Sequence, residues 1–375
     1  MIRGPATQVT SMQSNPRGAP LRNAYVQVLR AVAAASVVLF HLVPLTTLAT
    51  SYPAILTLSQ FGLFGVDLFF VISGFVVTRC ALPIDSISSA FSFLVRRFVR
   101  IYCGYYLALL PLAALLVAGM PPLTAEANIF GSLALIEWRL ERNILPVAWS
   151  LTFELWFYVC LTVCFACFRR WRSRVIAIGG VLAFLGFWHG GWALFRHDLW
   201  MSDRLPFPFL LSGLAIEFLF GAALAMISDR YHPDRSWALV AGLMVAVGVV
   251  GVSRLDTAHF AIYSVRAMTG GLAATGLVLL CVVANAVGQS DGSSLHVRPP
   301  TPLVILGNAS YALYLLHPVI LAAIGWWGSR GVGLVGPAYS AYEAGALLLA
   351  CFLASVFWWW YVEAPLTRLL GRRSP

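Results

Sequence analysis

One apolar segment near the start of the chain carries an arginine and a histidine. In LRAVAAASVVLFHL (29–42) only Arg30, Ser36 and His41 interrupt a run of apolar residues. At 3.6 residues per turn, about three helical turns separate Arg30 from His41, so both side chains project from one face, about 16 Å apart along the axis. A guanidinium binds anionic oxygens, and an imidazole can accept a proton from a hydroxyl group near neutral pH. The spacing therefore indicates a path that binds an anion at one end and transfers a proton at the other.

Three other ionisable residues interrupt apolar segments: Asp67 in FGLFGVDLFF (61–70), Glu154 in PVAWSLTFELWFY (146–158) and His317 in LGNASYALYLLHP (306–318). Such groups are costly inside a membrane and usually mark function. We predict that His41 acts as a general base and that Glu154 or Asp67 orients its ring. The alternative is that such residues only bridge helices, which we favour for His317 because the following Pro318 is a natural kink site. Two further ionisable residues, Glu217 and Arg266, also lie within apolar segments. We interpret them as a structural pair or as pore lining.

A basic run lies in FLVRRFVRIY (93–102), which we assign to the first cytoplasmic loop. Arg97 and Arg100 are three residues apart and share a face if the segment is helical. Guanidinium forks suit bidentate phosphate binding, although the run is also typical of an ordinary positive-inside anchor. We predict that a phosphorylated donor shaped like coenzyme A binds Arg96, Arg97, Arg100 and Arg30, and that its long arm reaches His41.

The composition excludes a soluble domain. Of the 375 residues 60% are hydrophobic and 11% are charged, whereas soluble domains carry about 25% charged residues. The mean hydropathy is +0.82. Three of the seven cysteines, Cys160, Cys164 and Cys167, share one helix face, and we interpret them as small apolar residues rather than metal ligands. The chain is therefore predicted to be an all-α polytopic membrane protein without a metal site or a nucleic-acid partner.

Apolar segments of roughly membrane-spanning length follow one another along the chain. Arginine is concentrated in alternate loops, which predicts that both termini are cytoplasmic. We expect a disordered cytoplasmic tail (1–24), one membrane domain (25–363) and a basic cytoplasmic tail (364–375). The ten predicted segments are 25–48, 61–80, 101–118, 148–168, 175–195, 207–227, 237–253, 261–285, 303–326 and 340–362.

Six motifs carry a family resemblance. They are the Arg-x10-His element (Arg30, His41), GVDLFFVISGF (65–75), RRFVRIY (96–102), WSLTFELWFY (149–158), GNASYALYLLHP (307–318) and VEAPL (362–366). Together they resemble the acyltransferase-3 family of membrane O-acyltransferases, most closely the members that modify exopolysaccharides. The chain departs from the family pattern at Cys103 and Gly104, where proline is frequent, and at Ala364, where a basic residue is common.

The resemblance implies transfer of an acyl group, usually acetyl from acetyl-CoA, to a sugar hydroxyl. The acceptor would be a surface glycan or its lipid-linked precursor at a bacterial inner membrane. His41 would be the catalytic histidine with Arg30 as its partner, and Arg97 and Arg100 would bind the CoA end. Glu154 and Asp67 match acidic positions of the motifs. The residues expected to contact substrate are Trp149, Ser150, Ser310, Tyr311, Tyr314 and His317.

Two other functions are alternatives to acyl transfer. A proton-coupled transporter or flippase would use similar buried charges, but the sequence lacks the paired, interrupted repeats typical of such proteins. A glycosyltransferase with a polyprenyl donor would be expected to carry Asp-x-Asp, which does not occur. The sequence leaves open whether His41 is a general base or a transient acyl carrier. It also leaves open the acceptor (exopolysaccharide, O-antigen, signalling oligosaccharide or small molecule) and the acyl group, since succinyl and branched acyls are alternatives to acetyl.

Overall fold

The structure, a computed structural model, describes residues 23–181, 212–253, 263–290, 299–329 and 339–366. Within these ranges all regular secondary structure is helical, apart from one isolated bridge between Thr46 and Tyr339. The predicted all-α fold is therefore confirmed for the described chain. Nearly all of the two predicted tails and most of the predicted segment 175–195 lie outside the described residues.

The helices are numbered in chain order. They are α1 Ala24–Leu42, α2 Thr47–Ser51, α3 Pro53–Gln60, α4 Phe64–Ala81, α5 Ile87–Val117, α6 Ile129–Leu133, α7 Trp149–Cys167, α8 Gly213–Tyr231, α9 Trp237–Ser253, α10 Tyr263–Ser290, α11 Thr301–Asn308, α12 Ser310–Ser329 and α13 Ala341–Trp358. A π-helical turn, Trp359–Glu363, follows α13.

Seven stretches of the described chain are helical, long and apolar enough to cross a membrane. The α9 helix is apolar but shorter, and α8 carries Glu217, Asp229 and Arg230 within its nineteen residues. The number of crossings and the orientation of the termini therefore stay predictions. The seven stretches are Ala24–Leu45, Pro53–Ala81, Ile87–Val117, Pro146–Cys167, Ala267–Gly288, Ser310–Trp327 and Ala341–Leu366.

The sequence predicts that the basic run lies in a loop. In the structure it lies inside helix α5. This helix has 31 residues and is about 46 Å long, well beyond the ~30 Å hydrocarbon layer. Its start is set by a capping box, in which the Ser86 hydroxyl accepts from the Ser89 amide and the Ser89 hydroxyl accepts from the Ser86 amide. The basic run consequently has helical geometry and extends from the end of a membrane-spanning helix.

The predicted segment 303–326 is two helices, not one. Helix α11 ends at Asn308, Ala309 caps it, and α12 begins at Ser310. The kink expected at Pro318 is not where the helix is interrupted, since α12 runs through this residue, as membrane helices tolerate proline when neighbouring groups satisfy the freed carbonyl. The interruption at Ala309 places Ser310 in the first turn of α12.

Helix α1 is central and packs against α4, α10, α11, α12 and α13. Three glycines permit close approaches to α1: a Cβ on Gly62 would collide with the Ser36 carbonyl, one on Gly65 of α4 with the Ala33 carbonyl, and one on Gly307 of α11 with the Gln27 backbone. Small residues at such crossings are typical of membrane helices. These approaches bring the start of α12 beside Arg30.

Tyrosines of α5 hold the connection that leads into α7. The hydroxyl groups of Tyr102, Tyr105 and Tyr106 donate to the carbonyls of Ala134 (2.6 Å), Ser132 (3.2 Å) and Leu133 (2.9 Å), respectively. These bonds satisfy backbone groups of a segment with little regular structure. The connection thereby fixes the start of α7, where Trp149 and Ser150 lie.

Candidate active site

A cavity lies between α1, α4, α5, α7 and α12. The lining combines three arginines, one carboxylate and several hydroxyl groups with apolar side chains, most of which come from α4. The lining residues are Arg30, Val66, Phe69, Phe70, Ile72, Ser73, Val76, Val77, Arg97, Arg100, Ile101, Ser150, Leu151, Glu154, Tyr158, Ser310, Tyr311 and Tyr314.

The three arginines of the cavity come from two helices. Arg97 and Arg100 lie one turn apart on α5, and the Arg97 guanidinium lies 5.9 Å from the centre of the Tyr158 ring. Arg30 of α1 donates from Nε to the Ser310 hydroxyl over 3.1 Å and interacts electrostatically with Arg100. Three guanidinium groups lining one cavity are chemically suited to a polyanion. Arg96, the fourth predicted member, is exposed and does not line the cavity.

Glu154 lines the cavity, and its carboxylate accepts hydrogen bonds from two hydroxyl groups. Its Oε1 accepts a hydrogen bond from Ser73 of α4 (2.8 Å) and another from Tyr158, one turn further along α7. It also interacts electrostatically with Arg30. The sequence predicts Glu154 or Asp67 as the residue that orients His41, but the structure connects Glu154 to Tyr158 and Ser73 and places it beside the arginines.

His41 meets His317, not a carboxylate. His41 Nδ1 lies 2.8 Å from the Val37 carbonyl oxygen and 3.3 Å from His317 Nε2, and the ring centres are 5.0 Å apart. His317 Nδ1 lies 3.0 Å from the Leu313 carbonyl oxygen. The pair does not line the cavity. Within the described chain, the expected partner of His41 is thus replaced by a second imidazole.

Helices α1 and α12 present matching polar residues along their contact. Arg30 contacts Ser310. Further along both helices, His41 contacts His317. The two helices therefore run in the same direction, with the histidine pair beyond one end of the cavity. Tyr314 connects the two regions, because it lines the cavity and its ring centre lies 6.2 Å from that of His317.

The remaining predicted residues take different positions. Ser150 lines the cavity and its Oγ lies 2.8 Å from the Tyr314 hydroxyl, and Tyr311 lines it as well. Trp149 is buried outside the cavity, and so is Asp67, in the first turn of α4. Glu217 is buried in α8. The side chain of Arg266 lies outside the described residues.

Three residues of the site were not predicted. Ser73 and Tyr158 hold Glu154, and Glu363 interacts electrostatically with Arg30 and Arg100 from the π-helical turn. All three occur within motifs quoted above, GVDLFFVISGF, WSLTFELWFY and VEAPL. The spacing of four residues between Glu154 and Tyr158 is a helical-neighbour signal that could have found this pair.

Known proteins resemble the chain over most of its length. Acyltransferase MdmB of Streptomyces mycarofaciens is 26% identical over 352 residues, covering 86% of this chain and 85% of that protein. Nodulation protein 10 of Rhizobium leguminosarum bv. viciae is 27% identical over 334 residues, covering 81% and 82%. Exopolysaccharide production protein ExoZ of Rhizobium meliloti (strain 1021) is 27% identical over 303 residues, covering 76% and 86%.

The search of solved structures gave no match. A family model described as an acyltransferase domain matches residues 23–364. This range contains the cavity, the three arginines and the histidine pair. The chain therefore belongs to the acyltransferase-3 family.

Proposed function

We propose that the chain is a membrane O-acyltransferase that moves an acyl group, normally acetyl, from acyl-CoA to a sugar hydroxyl of a surface glycan. The observation that carries the proposal is the cavity with three arginines, which adjoins a pair of histidines through Tyr314. A polyanion site beside a proton acceptor suits a donor with a phosphate-rich head and a reactive tail.

The donor is bound by its charges at one end of the cavity. Arg97 and Arg100 bind the phosphates of CoA, and Arg30, already oriented by Ser310, completes the site. Glu154 and Glu363 interact with Arg30 and so balance part of the positive charge when no donor is bound. The apolar side chains of the cavity accommodate the thin arm and the acyl group, which extend past Tyr314 towards His41.

His41 acts as the general base. The hydroxyl oxygen of the acceptor forms a bond to the thioester carbonyl carbon while its proton passes to the imidazole. The carbon–sulfur bond then breaks, and the proton returns to the leaving thiolate, so the products are an O-acyl ester and free CoA. A positioned base of this kind contributes about 10²–10⁴-fold to the rate.

The acceptor and the membrane topology belong to the same proposal. One of the relatives is named for exopolysaccharide production, which supports a carbohydrate acceptor, free or lipid-linked. We propose ten membrane crossings with both termini in the cytoplasm of a bacterial cell, so that acyl-CoA enters from the cytoplasm and the membrane lipid surrounds residues 25–363. No resident metal is needed for the reaction as written.

The test separates donor binding from turnover in purified protein reconstituted into nanodiscs. Radiolabelled acetyl-CoA binding and the release of free CoA on adding cell-envelope glycans are measured for wild type, His41→Ala and Arg97→Ala/Arg100→Ala. Arg96→Ala is the matched control, because it removes a neighbouring arginine that does not line the cavity.

We expect the double variant to lose binding, His41→Ala to retain binding but lose turnover, and Arg96→Ala to behave like wild type. If wild-type protein binds no acyl-CoA, the enzyme proposal fails and proton-coupled transport becomes the alternative. If Arg96→Ala weakens binding as much as the double variant, the cavity is not the donor site.

A further inference from the structure

His317 lies against His41 at the contact between α12 and α1. It is completely buried, and its Nε2 lies 3.3 Å from His41 Nδ1. This contact joins residues 276 positions apart in the chain. A buried polar side chain is costly unless its hydrogen bonds are satisfied. The hydrogen bonds of His317 therefore indicate its role.

The backbone determines which ring nitrogens carry hydrogen. A carbonyl oxygen can only accept a hydrogen bond, so a ring nitrogen that faces one at bonding distance must be a donor. Val37 O lies 2.8 Å from His41 Nδ1, and Leu313 O lies 3.0 Å from His317 Nδ1. Each ring is therefore protonated at Nδ1, and in the neutral form each has a lone pair at Nε2.

The contact between the rings then has one direction. His41 Nδ1–H is shared between the Val37 carbonyl and His317 Nε2, which accepts. The reverse direction, with hydrogen on His317 Nε2, would turn a lone pair of His41 Nδ1 towards Val37 O at 2.8 Å. Two acceptors would then face each other, which is unfavourable. Nε2 of His41 is consequently the nitrogen left free to take a proton.

We infer that His317 is a positioning residue for His41. It accepts from Nδ1, fixes the ring so that Nε2 is the base, and supplies a lone pair to the imidazolium that forms when the acceptor loses its proton. This inference rests on the proposed function and replaces the carboxylate expected from the sequence. A neutral imidazole performs the role without placing a permanent anion in an apolar contact, where desolvation would be costly.

The experiment compares His317→Leu with His317→Gln. Leucine fills space but cannot accept, whereas the glutamine carboxamide reaches the place of Nε2 and its oxygen can accept from His41. We expect His317→Leu to lower kcat about ten- to a hundredfold with the Kd of acetyl-CoA unchanged, the effect of losing one hydrogen bond to a charged group. His317→Gln should recover most of this loss.

The matched control is Thr275→Val, which removes another buried side chain-to-carbonyl bond, Thr275 Oγ1 to Gly271 O at 2.7 Å, outside the site. It should leave kcat as in wild type. A purely structural role would let leucine serve as well as glutamine, so equal kcat values for these two variants would overturn the inference. Wild-type protein that shows no acyl-CoA-dependent transfer would instead overturn the proposed function.

If His317→Leu does not fold, a second measurement on the wild-type protein still tests the inference. In wild-type protein labelled with ¹⁵N-histidine, the His41 signals, identified by their absence in His41→Ala, should show hydrogen on Nδ1 and a bare Nε2. Hydrogen on Nε2 with a bare Nδ1 in the neutral ring would overturn the inference without any variant of His317.

Discussion

Gly307 lets α11 approach α1 so closely that alanine at this position should damage both the fold and the donor site. A Cβ at this position would lie 2.9 Å from Gln27 Cα and closer still to the carbonyl group of Gln27. Because favourable carbon contacts begin near 3.5 Å, the helices must separate by about 1 Å. The obstacle is backbone, so no side-chain rotation can relieve it.

The cost follows from two opposing terms. Overpacking destabilises the folded protein by about 1–3 kcal/mol. Replacing glycine by alanine in a helix stabilises it by about 1 kcal/mol. We therefore expect Gly307→Ala to destabilise the protein by up to about 2 kcal/mol. The same displacement would lengthen the 3.1 Å bond between Arg30 and Ser310 beyond hydrogen-bond range, so acetyl-CoA should also bind more weakly.

Heat stability is measured as the folded fraction that elutes from size-exclusion chromatography after heating, and acetyl-CoA binding is measured beside it. Gly345→Ala is the control, because a Cβ on this glycine of α13 has no atom within 4 Å. It should be as stable as wild type or more so. If Gly307→Ala matches Gly345→Ala in stability and in binding, the close approach of α11 to α1 is wrong.

Two further variants probe hydrogen bonds of the described chain. Tyr158→Phe keeps the ring beside Arg97 but leaves Glu154 with a single hydrogen bond, from Ser73. We therefore expect a loss of about 1–3 kcal/mol in stability, measured by the same heating assay. Arg172→Ala removes a guanidinium that donates to the carbonyls of Leu82, Ile84 and Phe165. It should destabilise more than Arg169→Ala, which removes one such bond, to Asp85; equal effects would show that the three bonds of Arg172 do not stabilise the protein.

The periodicity of single helices was sufficient to predict part of the site. The helical repeat predicts that Arg30 and His41 share a face, and both indeed meet α12. The spacing of Arg97 and Arg100 likewise predicts a common face, and both line the cavity. Such relations lie within one helix, so they depend only on 3.6 residues per turn.

Relations between helices could not be predicted in this way. Their positions within apolar segments suggested Glu154 or Asp67 as the partner of His41, but a position along one helix does not say which helices are neighbours. His317 is the neighbour because Gly307 and the interruption at Ala309 place α12 against α1. The start of α5 was missed for another reason: hydropathy detects the apolar part of a helix, whereas this helix begins at the polar cap formed by Ser86.

The most direct test of acyl transfer at His41 follows the acyl group itself. Wild-type protein and His41→Ala in nanodiscs are incubated with deuterated acetyl-CoA and cell-envelope glycans, and the glycans are analysed by mass spectrometry before and after mild alkali. The account predicts a deuterated, alkali-labile acetyl ester on a sugar with wild type and none with His41→Ala. Equal labelling by both proteins, or no labelled sugar with a wild type that binds acetyl-CoA, would contradict it.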